Sequence, residues 1–262
     1  MTYSKKRFDT FYLEKLPKMA RDSVAYDVIR EIYVNAGSTK KAIENCIEYA
    51  ETIKKEREEE RKNRAIVSIS KGNSKMGAIP SVSLPPIITC PKGAPCAVKC
   101  YAAKLCRLRA TVRNAYQNNL DILNDNWNEY WRQVRFAVSM TKYFRFHVSG
   151  DMPNAGYFKE VVITARHNPG TQILAFTKQY DFVNNYIDVF GDLPANLHII
   201  FSEWGDQKPV NPHNLPTAAV IFKGTEPANN WKICGGNCAE CACRGVGCWE
   251  LKKGETIAFY EH

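Results

Sequence analysis

Residues 144–177 read FRFHVSGDMPNAGYFKEVVITARHNPGTQILAFT, and this stretch decides the fold class. It opens with the strand-like run FRFHVS and closes with the run QILAFT, with room for a helix between them. Similar runs recur further along the chain at intervals of roughly twenty to thirty residues: LHIIFS (197–202), AAVIFK (218–223) and TIAFYE (256–261). This rhythm predicts β-α repeats that build a mostly parallel sheet. Strands that are apolar nearly throughout are typical of a sheet covered on both faces.

The chain is predicted to have three parts. Residues 1–64 space their apolar residues at helical intervals, with Ser38 as a helix cap and Cys46 as a core thiol, and predict a helical extension. Residues 65–233 are predicted to form the α/β part, which carries a first cysteine group. Residues 234–262 combine a cysteine-rich segment with the last strand.

The composition is that of an ordinary globular protein, with 45% hydrophobic and 24% charged residues in a chain of 262. No stretch reaches the roughly eighteen apolar residues that a membrane helix needs, and the first residues do not resemble a signal peptide. We therefore expect a cytoplasmic protein whose thiols stay reduced. In that setting, clustered cysteines indicate metal binding more often than disulfides.

The first cysteine group lies in TCPKGAPCAVKCYAAKLC, residues 89–106. Its gaps of five, three and five residues differ from the close pairs of zinc ribbons and zinc fingers. A loop of this kind can wrap a 4Fe-4S cluster, while the N-terminus of the following helix offers N–H groups to the sulfurs. We predict Cys90, Cys96 and Cys100 as metal ligands, with Cys106 as a spare or a fourth ligand.

The second cysteine group lies in CGGNCAECACRGVGC, residues 234–248. Its interleaved glycines allow the backbone to fold tightly around a metal. A 4Fe-4S cluster or a tetrahedral zinc ion is predicted here, with four ligands: Cys234, Cys238, Cys241 and Cys248. Cys243 is an ambiguous fifth cysteine.

Polar residues follow three of the predicted strands. These residues are His147-Val148-Ser149-Gly150-Asp151, Thr177-Lys178-Gln179 and Ser202-Glu203-Trp204. Ligands of parallel α/β proteins bind at the carboxyl ends of the strands, so the group is a candidate site. The alternative is that Ser149, Asp151 and Ser202 cap the helices that follow.

Charge is concentrated in the middle of the chain. The net charge is +9, and residues 65–145 carry 12 Lys and Arg against 3 Asp and Glu. Cations near the first cysteine group would stabilise a cluster whose net charge is negative. The same cations would also suit an anionic partner such as nucleic acid, and charge alone does not decide between the two.

Three stretches together resemble the phage gene-product-88 family, which occurs in bacteriophages and mobile elements. They are LPPIITCPKGAPCAVKCYAAK, RFHVSGDMPNAGYFKEVVITARHNPGTQILAFTKQYD and CAECACRGVGCW, and the resemblance covers roughly residues 65–250. This family in turn is similar to radical S-adenosylmethionine enzymes. Those enzymes use a three-cysteine loop after the first strand of a partial (β/α) barrel and a Gly-Gly-Glu-like motif at the end of the second strand.

The resemblance implies an α/β fold with a partial (β/α) barrel of mostly parallel strands, an N-terminal helical extension and a C-terminal cysteine-rich knuckle. It also implies one or two 4Fe-4S clusters and S-adenosylmethionine as a small-molecule cofactor. Cys90, Cys96 and Cys100 match the role of the three-cysteine loop, although their gaps are five and three residues where the radical enzymes have three and two. The second cysteine group would then hold an auxiliary cluster.

The same resemblance supplies roles for the strand-end residues. Ser149, Gly150 and Asp151 match the place of the second motif and are predicted to bind the cofactor. Tyr101 is predicted to pack on the first cluster. His147, which can move a proton, and Lys178, which can meet a carboxylate or phosphate, are the predicted catalytic residues.

Three classes of function are open on the sequence. The first is a radical S-adenosylmethionine-like enzyme of unknown substrate. The second is a non-catalytic iron–sulfur protein that binds nucleic acid or a host protein through its basic middle segment. The third is a zinc-stabilised structural protein. In each case we expect no membrane association and a cytoplasmic location, in the host cell if a phage encodes the protein.

Overall fold

The structure is a computed structural model that describes residues 4–205 and 208–261, apart from the side chains of residues 60–64. The chain divides into two compact units, Met1–Ala65 and Ile66–His262. The first unit ends one residue after the predicted helical extension, residues 1–64. The predicted third segment, residues 234–262, belongs to the second unit.

The first unit is helical. Its α-helices are α1 (Lys5–Thr10), α2 (Lys18–Ser23), α3 (Tyr26–Asn35) and α4 (Thr39–Arg64), with a π-helical turn at Phe11–Lys15. The hydroxyl of Ser38 accepts a hydrogen bond from the amide of Lys41, which confirms the predicted cap of α4. Cys46 is fully buried in a core with Phe8, Ile29 and Tyr33, which confirms it as a core thiol.

The second unit contains one eight-stranded sheet. Its strands are β1 (Ile69–Ser70), β2 (Ser81–Val82), β3 (Tyr143–Phe146), β4 (Gln172–Thr177), β5 (Leu197–Ser202), β6 (Thr217–Ile221), β7 (Lys232–Ile233) and β8 (Thr256–Tyr260). Every neighbouring pair is parallel except β1 with β2. The prediction of a mostly parallel α/β sheet is confirmed. Strands β2 and β7 have only two residues each and lie where the sequence shows no strand-like run, because the partner strands supply their pairing.

Six α-helices belong to this unit among the described residues. They are α5 (Tyr101–Leu108), α6 (Ala110–Asp125), α7 (Trp127–Ser139), α8 (Ala155–His167), α9 (Tyr180–Phe190) and α10 (Cys238–Arg244), with 3-10 turns at Pro95–Ala97 and Gly247–Trp249. Helices α5, α6 and α7 follow one another directly along the chain and are separated only by Arg109 and by Asn126. Asn126 ends α6, and its side chain accepts from the amide of Glu129 to cap α7.

The strand order is β1-β2-β3-β4-β5-β6-β8-β7. Strands β2 to β6 therefore lie side by side in chain order, so their crossovers all advance in one direction, unlike those of a doubly wound sheet, whose order reverses. The sheet is open, and β1 and β7 form its two edges. The structure thus shows a singly wound parallel sheet but does not show a barrel.

The sheet presents two different faces, because successive side chains of a strand point to opposite sides. Phe144 and Phe146 lie on the side of the helices, where Phe146 meets Trp131 of α7. The inner face, defined here as the opposite side, carries Tyr143, Arg145, Leu174, Phe176, Ile200 and Phe259. It is covered by α10 and the Gly247–Trp249 turn, with Trp249 against Tyr143.

The inner face is concave. The rings of Phe176 on β4 and Phe259 on β8 lie 5.8 Å apart between centroids, although β5 and β6 separate their strands. Three strand spacings would put the two strands about 14 Å apart in a flat sheet. The contact indicates that the sheet curls toward this face.

Candidate metal centres

The first thiol group, Cys90, Cys96 and Cys100, lies on the loop that leaves β2. The start of this loop is hydrogen-bonded to the end of β3, because the amide of Leu84 donates to the carbonyl of Ser149 at 3.2 Å. Gly150, with φ of +73°, permits the contact. A Cβ added there would lie 2.5 Å from Oγ1 of Thr89 and 2.7 Å from the carbonyl oxygen of Leu84.

These three thiols are electrostatic neighbours. Burial raises the pKa of Cys90 to about 11, a backbone hydrogen bond at Ile87 opposes the rise, and Asp151, Cys96 and Cys100 add to it. Cys100 caps α5, because its Sγ accepts from the amide of Ala103 at 3.4 Å. A thiolate in that position gains from the N-terminal end of the helix dipole. The expected N–H donor from the following helix is therefore present.

Cys106 is buried on α5. Burial raises its pKa, the thiol of Cys100 adds to the rise, and Arg113 opposes it. Cys106 thus lies within helix α5 and not on the loop that carries Cys90 and Cys96.

Asp151 joins the ends of two strands to the first thiol group. Its Oδ1 accepts hydrogen bonds from Oγ1 of Thr177 at 2.7 Å and from the amide of Met152 at 2.8 Å. Its Oδ2 accepts from the amide of Lys178 at 2.8 Å. Burial raises the pKa of Asp151 to about 6 against the effect of these hydrogen bonds. A buried carboxylate that interacts with Cys90 therefore stands at the carboxyl edge of the sheet.

Ser149 and Asp151 do not cap α8, because the side chain of Asn154 accepts from the amide of Tyr157 and caps this helix. Oγ of Ser149 is buried without a hydrogen-bond partner among the described residues. Tyr101 is half exposed, and its hydroxyl donates to the carbonyl of Val148. The structure thus brings Tyr101, Ser149, Gly150 and Asp151 to one edge of the sheet, next to the first thiol group.

His147 is placed elsewhere. Its backbone has φ of +59°, and its ring lies 5.3 Å from that of Tyr157 and 6.0 Å from that of Phe146, between centroids. Burial lowers its pKa to about 3, with the Ser149 backbone opposing the shift. His147 is therefore a neutral ring in the aromatic core on the helix side. Of the two predicted catalytic residues, only Lys178 lies beside Asp151.

The second thiol group, Cys234, Cys238, Cys241 and Cys248, lies on the inner face. Burial raises the pKa of Cys248 to about 12, Arg145 opposes the rise, and the other three thiols add to it. The pKa of Cys241 is likewise raised, first by burial and then by Cys234 and Cys238. Cys243 is exposed on α10. The four cysteines predicted as ligands are therefore the four that lie together.

Backbone contacts hold the second thiol group in place. The amide of Cys234 donates to the carbonyl of Ala258 in β8 at 2.9 Å, and the amide of Cys238 donates to the carbonyl of Lys75 at 3.0 Å. The amide of Gly236 donates to Sγ of Cys234 at 3.4 Å. A Cβ at Gly247 would lie 3.2 Å from Sγ of Cys241, so this glycine leaves room around the sulfur.

Two residues that the sequence analysis did not single out also reach these sites. Nη1 of Arg145 donates to Sγ of Cys238 at 3.7 Å. The alternation of β3 could have placed Arg145 on the face of the sheet opposite to Phe144 and Phe146. Tyr180 donates to the carbonyl of Ser202, and its pKa is raised by burial, then by Asp151, Glu203 and Cys96. No sequence signal marks Tyr180.

The first cysteine loop extends across the carboxyl edge of the sheet. Nζ of Lys99 lies 2.8 Å from Oε1 of Glu261, which directly follows β8. Five strand steps separate β2 from β8 in the sheet. The loop therefore covers the strand ends on which Asp151 and Lys178 stand.

The side chains of each group are of the type that binds metal in metal–thiolate centres. All ten cysteines are free thiols and all lie within the described residues. Sulfur atoms of both groups accept N–H donors, as thiolate ligands do. Within the described part of the chain, no three His, Cys, Asp or Glu side chains converge closely enough to hold a single metal ion.

Comparison with known proteins gives one match. A family model described as gene product 88 matches residues 48–255, a range that contains both thiol groups and strands β1 to β7. No curated protein and no solved structure matches the chain. Among the described residues, no helix is both long and apolar enough to cross a membrane.

Proposed function

The chain belongs to the gene product 88 family, and on this premise we propose that it is an iron–sulfur protein with radical S-adenosylmethionine-like chemistry. Cys90, Cys96 and Cys100 would hold a site cluster, and Cys234, Cys238, Cys241 and Cys248 would hold an auxiliary cluster. The sheet would correspond to part of a (β/α) barrel in which β2 is the first barrel strand and β3 the second.

One observation carries the proposal. The three thiols on the loop after β2 lie at the carboxyl edge of a singly wound parallel sheet, beside a buried carboxylate at the end of the next strand. Ligands of parallel α/β proteins bind at this edge. Three thiols leave one iron of a 4Fe-4S cluster without a protein ligand, and that iron is the position where a small molecule can coordinate.

The sequence spacing of the first group favours a cluster over zinc. Its gaps of five, three and five residues differ from the close cysteine pairs of zinc ribbons and zinc fingers. At the second group, four cysteines are compatible both with a 4Fe-4S cluster and with a tetrahedral zinc ion.

The chain's own residues would act around the bound cofactor. When bound, the site cluster and S-adenosylmethionine together supply the electron and the reactive sulfonium of the radical enzymes. Asp151 is fixed by three hydrogen bonds and would accept one from an ammonium group at the strand ends. Tyr101, half exposed next to Cys100, would limit the access of water to the first thiol group.

Anaerobic purification followed by iron and sulfide analysis tests the cluster part of the proposal. Two 4Fe-4S clusters correspond to about eight iron and eight sulfide per chain. We expect Cys90→Ser to lower the iron and sulfide contents by about half through loss of the site cluster. We expect Cys248→Ser to lower them by about half through loss of the auxiliary cluster. Cys243→Ser, at an exposed cysteine outside both groups, is the control and should keep full content. Colourless protein that contains zinc would contradict the proposal.

Incubation of the reduced protein with S-adenosylmethionine tests the enzymatic part. Release of 5′-deoxyadenosine is the expected result, and Cys96→Ser should abolish it. If both clusters are present and no 5′-deoxyadenosine forms, the enzymatic part is wrong and a non-catalytic iron–sulfur protein is the better description.

A further inference from the structure

Arg145 places a positive charge on the inner face, against the second thiol group. It lies on β3, and its Nη1 donates to Sγ of Cys238 at 3.7 Å. Its guanidinium carbon lies 4.7 Å from the centroid of the Phe176 ring. The charge also opposes the pKa rise that burial causes at Cys248 and at the hydroxyl of Tyr101, which follows Cys100 directly. Arg145 therefore contacts the second thiol group and also acts electrostatically on Tyr101, a chain neighbour of the first.

No carboxylate balances this charge in the described part of the chain. None of the ion pairs between described residues includes Arg145. Its Nε is buried without a hydrogen-bond partner among those residues. A guanidinium removed from water costs free energy unless a counter-charge lies close to it. Of the two side chains that Arg145 is seen to contact, Cys238 and Phe176, only the thiol of Cys238 can become negative.

We propose that Arg145 is the counter-cation of the second thiol group, donating to Cys238 and offsetting the negative charge of metal-bound thiolates. The inference rests on the proposed function in one respect, namely that the metal centre is a 4Fe-4S cluster. A 4Fe-4S cluster with four thiolates carries a net negative charge and gains one more on reduction. A fixed cation close to it therefore stabilises the reduced state and raises the reduction potential.

A matched pair of variants isolates the effect. Arg145→Gln removes the charge of Arg145. Arg244→Gln removes a second arginine charge that acts on the same group through Cys241, but Arg244 is exposed, so water and salt screen it. Arg145→Lys keeps a positive charge while changing the donor geometry.

The readout is the reduction potential of the auxiliary cluster, followed by electron paramagnetic resonance during an anaerobic redox titration. Cys90, Cys96 and Cys100 are changed to Ser in every sample so that only this cluster is titrated. At the midpoint of the parent protein, we expect Arg145→Gln to lower the ratio of reduced to oxidised cluster at least tenfold, which corresponds to 59 mV for one electron. We expect less than a threefold change in Arg244→Gln and in Arg145→Lys. An effect of Arg145→Gln no larger than that of Arg244→Gln overturns the inference.

Iron and sulfide analysis of the unaltered protein separates this inference from the proposed function. If the protein holds zinc instead, the proposed function fails, and the counter-cation is tested through zinc affinity, which Arg145→Gln should weaken at least tenfold more than Arg244→Gln. Protein that binds neither metal overturns both. Should Arg145→Gln fail to fold, Arg145→Lys decides alone. A ratio of reduced to oxidised cluster that stays within threefold of the parent's supports the inference. A larger fall in this ratio overturns it.

Discussion

At the scale of single residues, burial decides which polar groups can serve a site. Asp151 and His147 are four residues apart and both buried. The carboxylate of Asp151 accepts three hydrogen bonds, whereas the ring of His147 packs against those of Phe146 and Tyr157. The pattern His-x-Ser-Gly-Asp shows that the strand ends in polar residues, but it does not show which way each one points. The positive φ of His147 turns its ring to the helix side.

His147 should make folding sensitive to acid. Its pKa is lowered from 6.5 to about 3 by burial, so the unfolded chain binds this proton more readily, and stability is lost as pH falls below about 6.5. Between pH 7 and pH 5 the loss from this group is about 2 kcal/mol. His147→Phe should remove that part of the pH dependence in urea unfolding of reduced, metal-free protein. Identical pH dependence in both proteins would show that the buried ring does not account for it.

A substitution at Gly150 would test the close contact between the first cysteine loop and the end of β3. Gly150→Ala brings a Cβ to 2.5 Å from Thr89 Oγ1 at a positive φ, so we expect a loss of about 2–4 kcal/mol in stability. About half of the iron should be lost with the displaced loop. Gly93→Ala is the matched control, because Gly93 has the same φ of +73° and nothing within 4 Å of an added Cβ. Equal effects of the two substitutions would mean that backbone strain alone is responsible.

At the scale of elements, the cysteine-rich segment acts as the cover of the inner face. The sequence predicts residues 234–262, which form α10 and β8, as a separate cysteine-rich segment with the last strand. In the structure, Trp249 lies between Tyr143 on β3 and His198 on β5, and its Nε1 donates to the carbonyl of Cys238 at 3.1 Å. The same residues thus bury the concave side of the sheet and position four thiols.

Trp249→Ala should therefore unfold this cover and, with it, the site of the proposed auxiliary cluster. A large aromatic side chain that is 3% exposed contributes about 3–5 kcal/mol when it is truncated to Ala. We expect a loss of that size in the free energy of unfolding, together with loss of the auxiliary cluster but not of the site cluster. Phe136→Ala on α7, at a residue that is 65% exposed, should change stability by less than about 0.5 kcal/mol. Retention of all iron in Trp249→Ala would contradict the assigned role of the cover.

At the scale of the whole molecule, the candidate metal ligands are confined to one unit. Both thiol groups lie in Ile66–His262, and the one cysteine of Met1–Ala65 is the buried Cys46. Residues 4–59 have their own aromatic core around Phe8 and Tyr33. Stability of the first unit should therefore not depend on metal.

Hydrogen exchange followed by mass spectrometry would check this division. Removal of metal by anaerobic chelation should lower the protection of residues 232–260 and of the loop 83–100, because bound metal stabilises only the state that holds it. Protection of residues 18–59 should stay the same. A comparable loss in those helices would show that the two units are coupled through the metal centres.

Residue types and spacing alone predicted the parallel α/β class, the cap at Ser38, the core position of Cys46 and the family, because each follows from local periodicity or from a motif. The grouping of four of the five C-terminal cysteines, the place of the first loop over the strand ends and the position of Arg145 depend on the tertiary structure. These contacts join residues that are far apart in the chain, such as Lys99 with Glu261 and Arg145 with Cys238. Only the curl of the sheet and the packing of its cover bring them together, and no local pattern encodes such distances.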